Sequence, residues 1–168
     1  MISKYRQLFT SLNVSNVKGF KAPHKAVLLL GLLEQVEYDL LSENRIVISE
    51  DLVDAYSYIW QRYVGNSAVF RNTIFQPFWY MKSEPFWTLR LLDGTVVGMC
   101  DRKPSDAVLK TDYYAELDPE LYLLIQDVSA RAALRVALIS KYLVGQGDAA
   151  VIEESIQRKL SKTDRSGK

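Results

Sequence analysis

Ala22-Pro23-His24-Lys25-Ala26-Val27-Leu28-Leu29-Leu30-Gly31-Leu32-Leu33 is the most apolar run of the chain, and it holds the only histidine. Pro23 has the fixed φ of a first helical turn and lacks a donor that such a turn leaves unpaired. The run predicts a helix from Pro23 to about Leu41. Val27 to Leu33 is apolar on every face, as in a helix enclosed by a domain. His24 and Lys25 fall in the first turn, among free N–H groups and the positive end of the helix dipole. Such a place suits an anion, and phosphate is the common one.

Working outward, Tyr5, Leu8, Phe9 and Leu12 fall at i, i+3, i+4 and i+7, so Ser3 to Leu12 reads as an amphipathic helix with Ser3 as its cap. Asn13 to Lys21 reads as a loop, and Lys18 and Lys21 make the approach to His24 basic. Ile46-Val47-Ile48 is a short strand. Ser49 caps a helix that carries Glu50 and Asp51 in its first turn and ends at Gly65-Asn66. Asn72 to Gln76 is polar and leads into Pro77. Phe78 to Met81, Phe86 to Leu92 and Thr95 to Met99 read as three strands, the last two joined by an Asp93-Gly94 hairpin turn. Ser105 to Lys110 is a short helix, and Tyr113 to Glu116 adds a last strand. Asp118-Pro119 starts a helix to Gln126, and Ser129 starts another to Leu143. After the Gly145-Gln146-Gly147 break, Ala149 to Leu160 is a weakly amphipathic helix, and Ser161 to Lys168 reads as disordered.

The expected fold class is thus α+β: one mostly helical domain with a small antiparallel β-sheet from about Phe75 to Met99. The domain spans residues 1–145, and 146–168 form a helical linker and charged tail. A length of 168 residues suits one domain with a substantial core. The formal net charge of +1 gives no global pull to nucleic acid or membrane, so any nucleic-acid site is a local patch. One cysteine, Cys100, excludes an internal disulfide, and one histidine excludes metal centres that need two. Ala26 to Leu33 is too short to span a bilayer. Lys4, Arg6 and Gln7 interrupt any secretion signal, which makes the cytoplasm the expected compartment. No cofactor and no metal is called for, and no residue stands out as catalytic.

Three features together resemble a known family: Pro23-His24-Lys25 before a leucine-rich helix, Pro77-Phe78 with Met81 four after the proline, and Phe86-Trp87-Thr88-Leu89. Arg131…Leu134-Arg135…Leu138…Tyr142-Leu143 fits the same pattern. The chain resembles the sulfur-recognising domain of phosphorothioate-dependent, McrA-type HNH restriction endonucleases over roughly Ser3 to Leu143. The resemblance implies a module that binds double-stranded DNA in which sulfur replaces a non-bridging phosphate oxygen. It implies a shallow apolar cavity at Pro77, flanked by His24 and Lys25. The sequence departs from the best-known pattern at Lys25, where some members have arginine, at Gln76, where tyrosine occurs, and at Tyr80, where a small residue does. Tyr80 would narrow the cavity. Arg71, Asn72 and Gln76 have side chains suited to base edges and precede Pro77 in one loop. Lys18, Lys21, Arg102 and Lys103 would contact further phosphates. The implied partner is phosphorothioate-modified duplex DNA, with an HNH nuclease domain or subunit doing the cutting, since an HNH centre cannot be built from one histidine.

Two other readings stand beside this one. Phe78, Trp79, Phe86 and Trp87 suggest an aromatic platform, as in a protein-interaction or regulatory module. Asp93 with Asp101-Arg102-Lys103 mimics the carboxylate pair and lysine of a metal-dependent nuclease, although Asp93-Gly94 is already explained by the turn. Cys100 reads as an inert thiol, with nothing nearby in sequence to activate it.

Overall fold

The computed structural model describes residues 1–144; the expected helix 149–160 and charged tail 161–168 lie outside the described residues. The described chain is α+β and mostly helical, with two small antiparallel two-stranded sheets. Its elements run α1 (Ile2–Phe9), β1 (Asn16–Val17), β2 (Phe20–Lys21), α2 (His24–Glu37), α3 (Glu50–Tyr63) and α4 (Phe75–Tyr80). A 3-10 turn (Met81–Ser83) follows, then β3 (Trp87–Leu91), α5 (Asp106–Asp112), β4 (Tyr113–Leu117), α6 (Pro119–Leu124) and α7 (Val128–Leu138), which continues as a π turn over Ile139–Leu143.

Helix α2 is the axis of the core. Ala26 to Leu30 and Leu32 to Leu33 are almost wholly buried, as their all-round apolarity requires. The amphipathic face of α3 packs along it through Leu52, Tyr56, Ile59 and Trp60. Helices α4 and α7 also pack on α2, and α1 packs on α7. Ser49 caps α3 by accepting from the Leu52 amide (3.1 Å), as the sequence implies, and Ser105 caps α5 through the Val108 amide (3.3 Å).

Several elements differ from expectation. Helix α1 starts after Met1 with no side-chain cap, so Ser3 does not cap it. Helix α2 ends at Glu37, four residues short of Leu41. Asp39 turns left-handed (φ 57), and the Leu40 amide bonds back to the Gln35 carbonyl at 2.7 Å, a closure that stops the helix. The 13–21 loop contains a two-residue ribbon, with Asn16 opposite Lys21 and Val17 opposite Phe20. Lys18 (φ 52) and Gly19 (φ 82) form its turn, and two positive φ values match the twist of a tight hairpin. Asp127, not Ser129, caps α7, through the Ala130 amide at 2.8 Å. Ile46–Ile48 reduces to one bridge, Ile46 to Ala115.

The largest difference falls at 75–83. Phe78 to Met81 is helical, not a strand, and Pro77 sits third in α4. A third-position amide has no intrahelical acceptor, so proline there breaks no bond. The first full-turn bond is the next one, Phe78 N–H to Ile74 O at 3.1 Å. The sheet also differs. Gly94 (φ 92) makes the expected turn, but the return strand reduces to one bridge, Arg90 to Val96. β3 instead pairs along its length with β4, from Trp87 opposite Leu117 to Leu91 opposite Tyr113.

Candidate nucleic-acid interface

The start of α2, the segment 13–17, the segment 69–71 and helix α4 surround a groove of about 760 Å³. His24, Lys25, Arg71, Gln76, Pro77 and Tyr80 all line it, although about fifty residues separate the two sequence groups. Val14, Val17, Ala22, Val69, Phe70 and Met99 give it apolar walls. Pro77 is buried at the edge of the groove, Gln76 is exposed, and Tyr80 is 49% exposed.

His24 packs between Trp60 (4.9 Å between ring centroids) and Phe70 (5.9 Å). Its Nε2 lies 2.7 Å from the Arg71 carbonyl oxygen. A carbonyl only accepts, so Nε2 carries the proton and donates. Burial lowers the His24 pKa below 6.5, against the smaller opposing effect of the Arg71 hydrogen bond. The ring is therefore neutral at pH 7. It ties the segment around Arg71 to the α2 start.

Lys25 is buried, unlike the solvated cation that a helix start suggests. Its Nζ donates to Glu84 Oε2 at 2.6 Å and to Ser83 Oγ at 2.9 Å. The Ser83 hydroxyl donates in turn to the Tyr80 carbonyl (3.0 Å). Glu84 Oε2 also accepts from the Asn13 amide (2.8 Å), and the neighbouring Leu12 amide donates to the Tyr142 hydroxyl (2.9 Å). One buried carboxylate thus clamps three parts of the groove: the α2 start, the turn after α4, and the strap at residue 13. A buried charge requires such pairing. Sequence reasoning missed Glu84. The available signal was a lone acid in an aromatic stretch, matched by a lone cation inside the apolar run.

Asn72, Lys18 and Lys21 are exposed but do not line the groove. Gln76 lies on α4 rather than in the loop with Arg71 and Asn72. Met99 was also missed. It is 64% exposed on a loop pinned by Lys82, whose Nζ donates to Gly98 O at 2.9 Å and stands 3.9 Å from the Trp79 ring centroid. In the sequence it lies in the stretch Thr95 to Met99 read as a strand, and nothing marks it as exposed.

The aromatic platform does not exist as a surface. Phe78, Trp79, Phe86 and Trp87 are all buried, with Phe78 edge-on to Trp87. The acids of the nuclease reading are engaged in turns. Asp93 Oδ1 accepts from the Thr95 amide (2.9 Å), and hydrogen bonding by the Thr95 side chain and then by this amide lowers its pKa; Asp101 Oδ2 accepts from the Gly98 amide (2.7 Å). Lys103 pairs with Asp106 at 3.2 Å. Among the described residues, no three His, Cys, Asp or Glu side chains stand together as a metal site, and no helix is long and apolar enough to cross a membrane.

No family model matches the sequence, and no curated protein matches it significantly. Solved structures do match the fold. The sulfur binding domain of ScoMcrA complexed with phosphorothioated DNA superposes at TM-score 0.62, with 19% identity, over 87% of this chain and 96% of that one. A structure holding the sulfur binding and SRA domains of ScoMcrA with phosphorothioated DNA matches equally well, over 82% of this chain and 42% of that longer one. The sulfur binding domain of SprMcrA, also complexed with phosphorothioated DNA, gives TM-score 0.58 at 14% identity, over 89% and 94%. The chain shares the fold of these sulfur binding domains. The shared fold spans nearly the whole described chain, in line with the family resemblance of the three sequence motifs.

Proposed function

We propose that this chain binds double-stranded DNA carrying a phosphorothioate linkage, as the recognition module of a modification-dependent restriction system. The observation that carries the reading is that His24, Lys25 and Pro77 meet in one groove, in a chain folded like domains solved with phosphorothioated DNA. Sulfur is larger, softer and less well hydrated than oxygen, so contact with the Pro77 ring carbons favours it without any reaction. Tyr80 stands at the same groove and narrows the sulfur's seat. Lys25 is already paired with Glu84, which weakens its pull on an ordinary phosphate and leaves apolar contact to decide. Arg71, Asn72 and Gln76 address bases next to the modified linkage, and Lys18 and Lys21 add contacts to the duplex beside them. The reading requires no cofactor and assigns no catalysis to this chain. Cutting falls to an HNH nuclease domain or subunit, and the setting is the cytoplasm.

A mobility-shift titration with matched duplexes tests this. Binding to the phosphorothioate duplex is expected to exceed binding to the plain duplex by about tenfold, or roughly 1.4 kcal/mol. Equal affinities at moderate salt would overturn sulfur recognition.

A further inference from the structure

The ribbon of β1 and β2 stands apart from the rest of the fold. Asn16, Val17 and Lys21 are exposed, as are Lys18 and Gly19 at the turn, and only Phe20 packs on the core. Two-stranded ribbons are marginal by themselves. This one is held at its foot, where the Ala22 amide donates to Ser15 O at 2.8 Å and the Asn13 amide to Glu84 at 2.8 Å. Its two faces differ. Side chains alternate along a strand, and directly paired residues share a face. Val17 lines the groove and pairs with Phe20, so these two form an inward apolar face. Asn16 and its partner Lys21 form the opposite, polar face, and Lys18 stands at the tip in a left-handed conformation that few lysines adopt.

A two-stranded ribbon fits the major groove of duplex DNA, where amide and ammonium side chains read purine edges. We propose that the ribbon Asn16–Lys21 is a base-reading finger, which enters the major groove beside the linkage held at Pro77 and selects flanking purines through Asn16 and Lys18. The finger rests on the phosphorothioate-duplex reading given above. The two can fail separately, because flanking bases and backbone sulfur are varied independently.

The experiment titrates the full chain, N16A and K18A against phosphorothioate duplexes whose flanking purines are replaced one at a time by 7-deazapurines, which lack the N7 acceptor. Thermal melting of both variants checks their folding, and a G19A variant, strained at the turn, serves as a second perturbation of the finger. The wild type is expected to lose about fivefold to tenfold in affinity at one or two flanking positions. N16A or K18A should start weaker and lose nothing more at its own position, while both keep the preference for sulfur over oxygen. Wild-type binding indifferent to every 7-deaza substitution would overturn the finger. So would folded variants that keep the full wild-type penalty. Loss of the sulfur preference in the wild type would overturn the phosphorothioate reading instead, and the 7-deaza arm then reads the finger on plain duplex.

Discussion

The floor and the rim of the groove are built on opposite terms. The floor is Lys25, Pro77 and Glu84, which are buried, with His24 half-buried beside them, held by helices α2 and α4 and the Glu84 carboxylate. The rim is Arg71, Tyr80 and Met99, exposed on two loops and the end of a helix, with Lys18 and Asn72 exposed outside it. In the floor, polar groups are satisfied by one another, so removing one disturbs the fold. On the rim, polar groups face water, so removing one disturbs only what binds there. The difference separates what shapes the groove from what the proposed function assigns to DNA contact.

Lys25→Ala should sharpen the contrast most. It strands the Glu84 carboxylate in the interior and is expected to lower unfolding free energy by about 3–5 kcal/mol in a urea titration. A loss below about 1 kcal/mol would mean that the pair does not organise the floor. His24→Ala removes a ring wedged between Trp60 and Phe70, and about 1–3 kcal/mol is expected by the same measurement. His24 also gives the floor a pH signature. Its folded pKa lies below the unfolded value of 6.5, so the unfolded chain takes up the proton more readily. Stability attributable to this group is full above pH 6.5 and falls as pH drops through 6.5 and below. In His24→Gln that part of the stability–pH slope should vanish.

Rim substitutions should leave stability within about 0.5 kcal/mol of wild type. Arg71→Ala is expected to weaken duplex binding by several-fold and reduce the salt slope by about 0.9. Unchanged affinity and slope would remove Arg71 from the interface. The smallest effect is expected from Tyr80→Ala. Opening the seat beside Pro77 should raise the sulfur-to-oxygen preference by a few-fold without altering thermal stability. A fall in that preference would make Tyr80 a contact rather than an obstruction.

Local signals in the sequence carried far. The all-apolar run marked α2, Ser49 and Ser105 marked two helix starts, and Pro23-His24-Lys25 marked one half of the groove. The other half was harder to read. Phe75 to Tyr80 is aromatic and strand-prone, no capping side chain precedes it, and Pro77 argues against helix unless its position is known to be the third. Tertiary packing of Phe78 and Trp79 against the core overrides that propensity. Asp93-Gly94 announced a hairpin correctly as a turn, yet β3 takes β4 as its partner, and strand choice is a long-range matter. Lys25 and Glu84 are 59 residues apart; each alone reads as a surface charge, and only the fold makes them a buried pair.

A single phosphorus of a duplex can carry oxygen or sulfur, and the sulfur in either of two configurations. Titrating the full chain against these three duplexes tests sulfur recognition at the Pro77 groove most directly, because a seat fixed at Pro77 meets only one of the two non-bridging positions. The account predicts that one phosphorothioate diastereomer binds about tenfold tighter than the plain duplex, while the other binds like it. Equal binding of all three would contradict it.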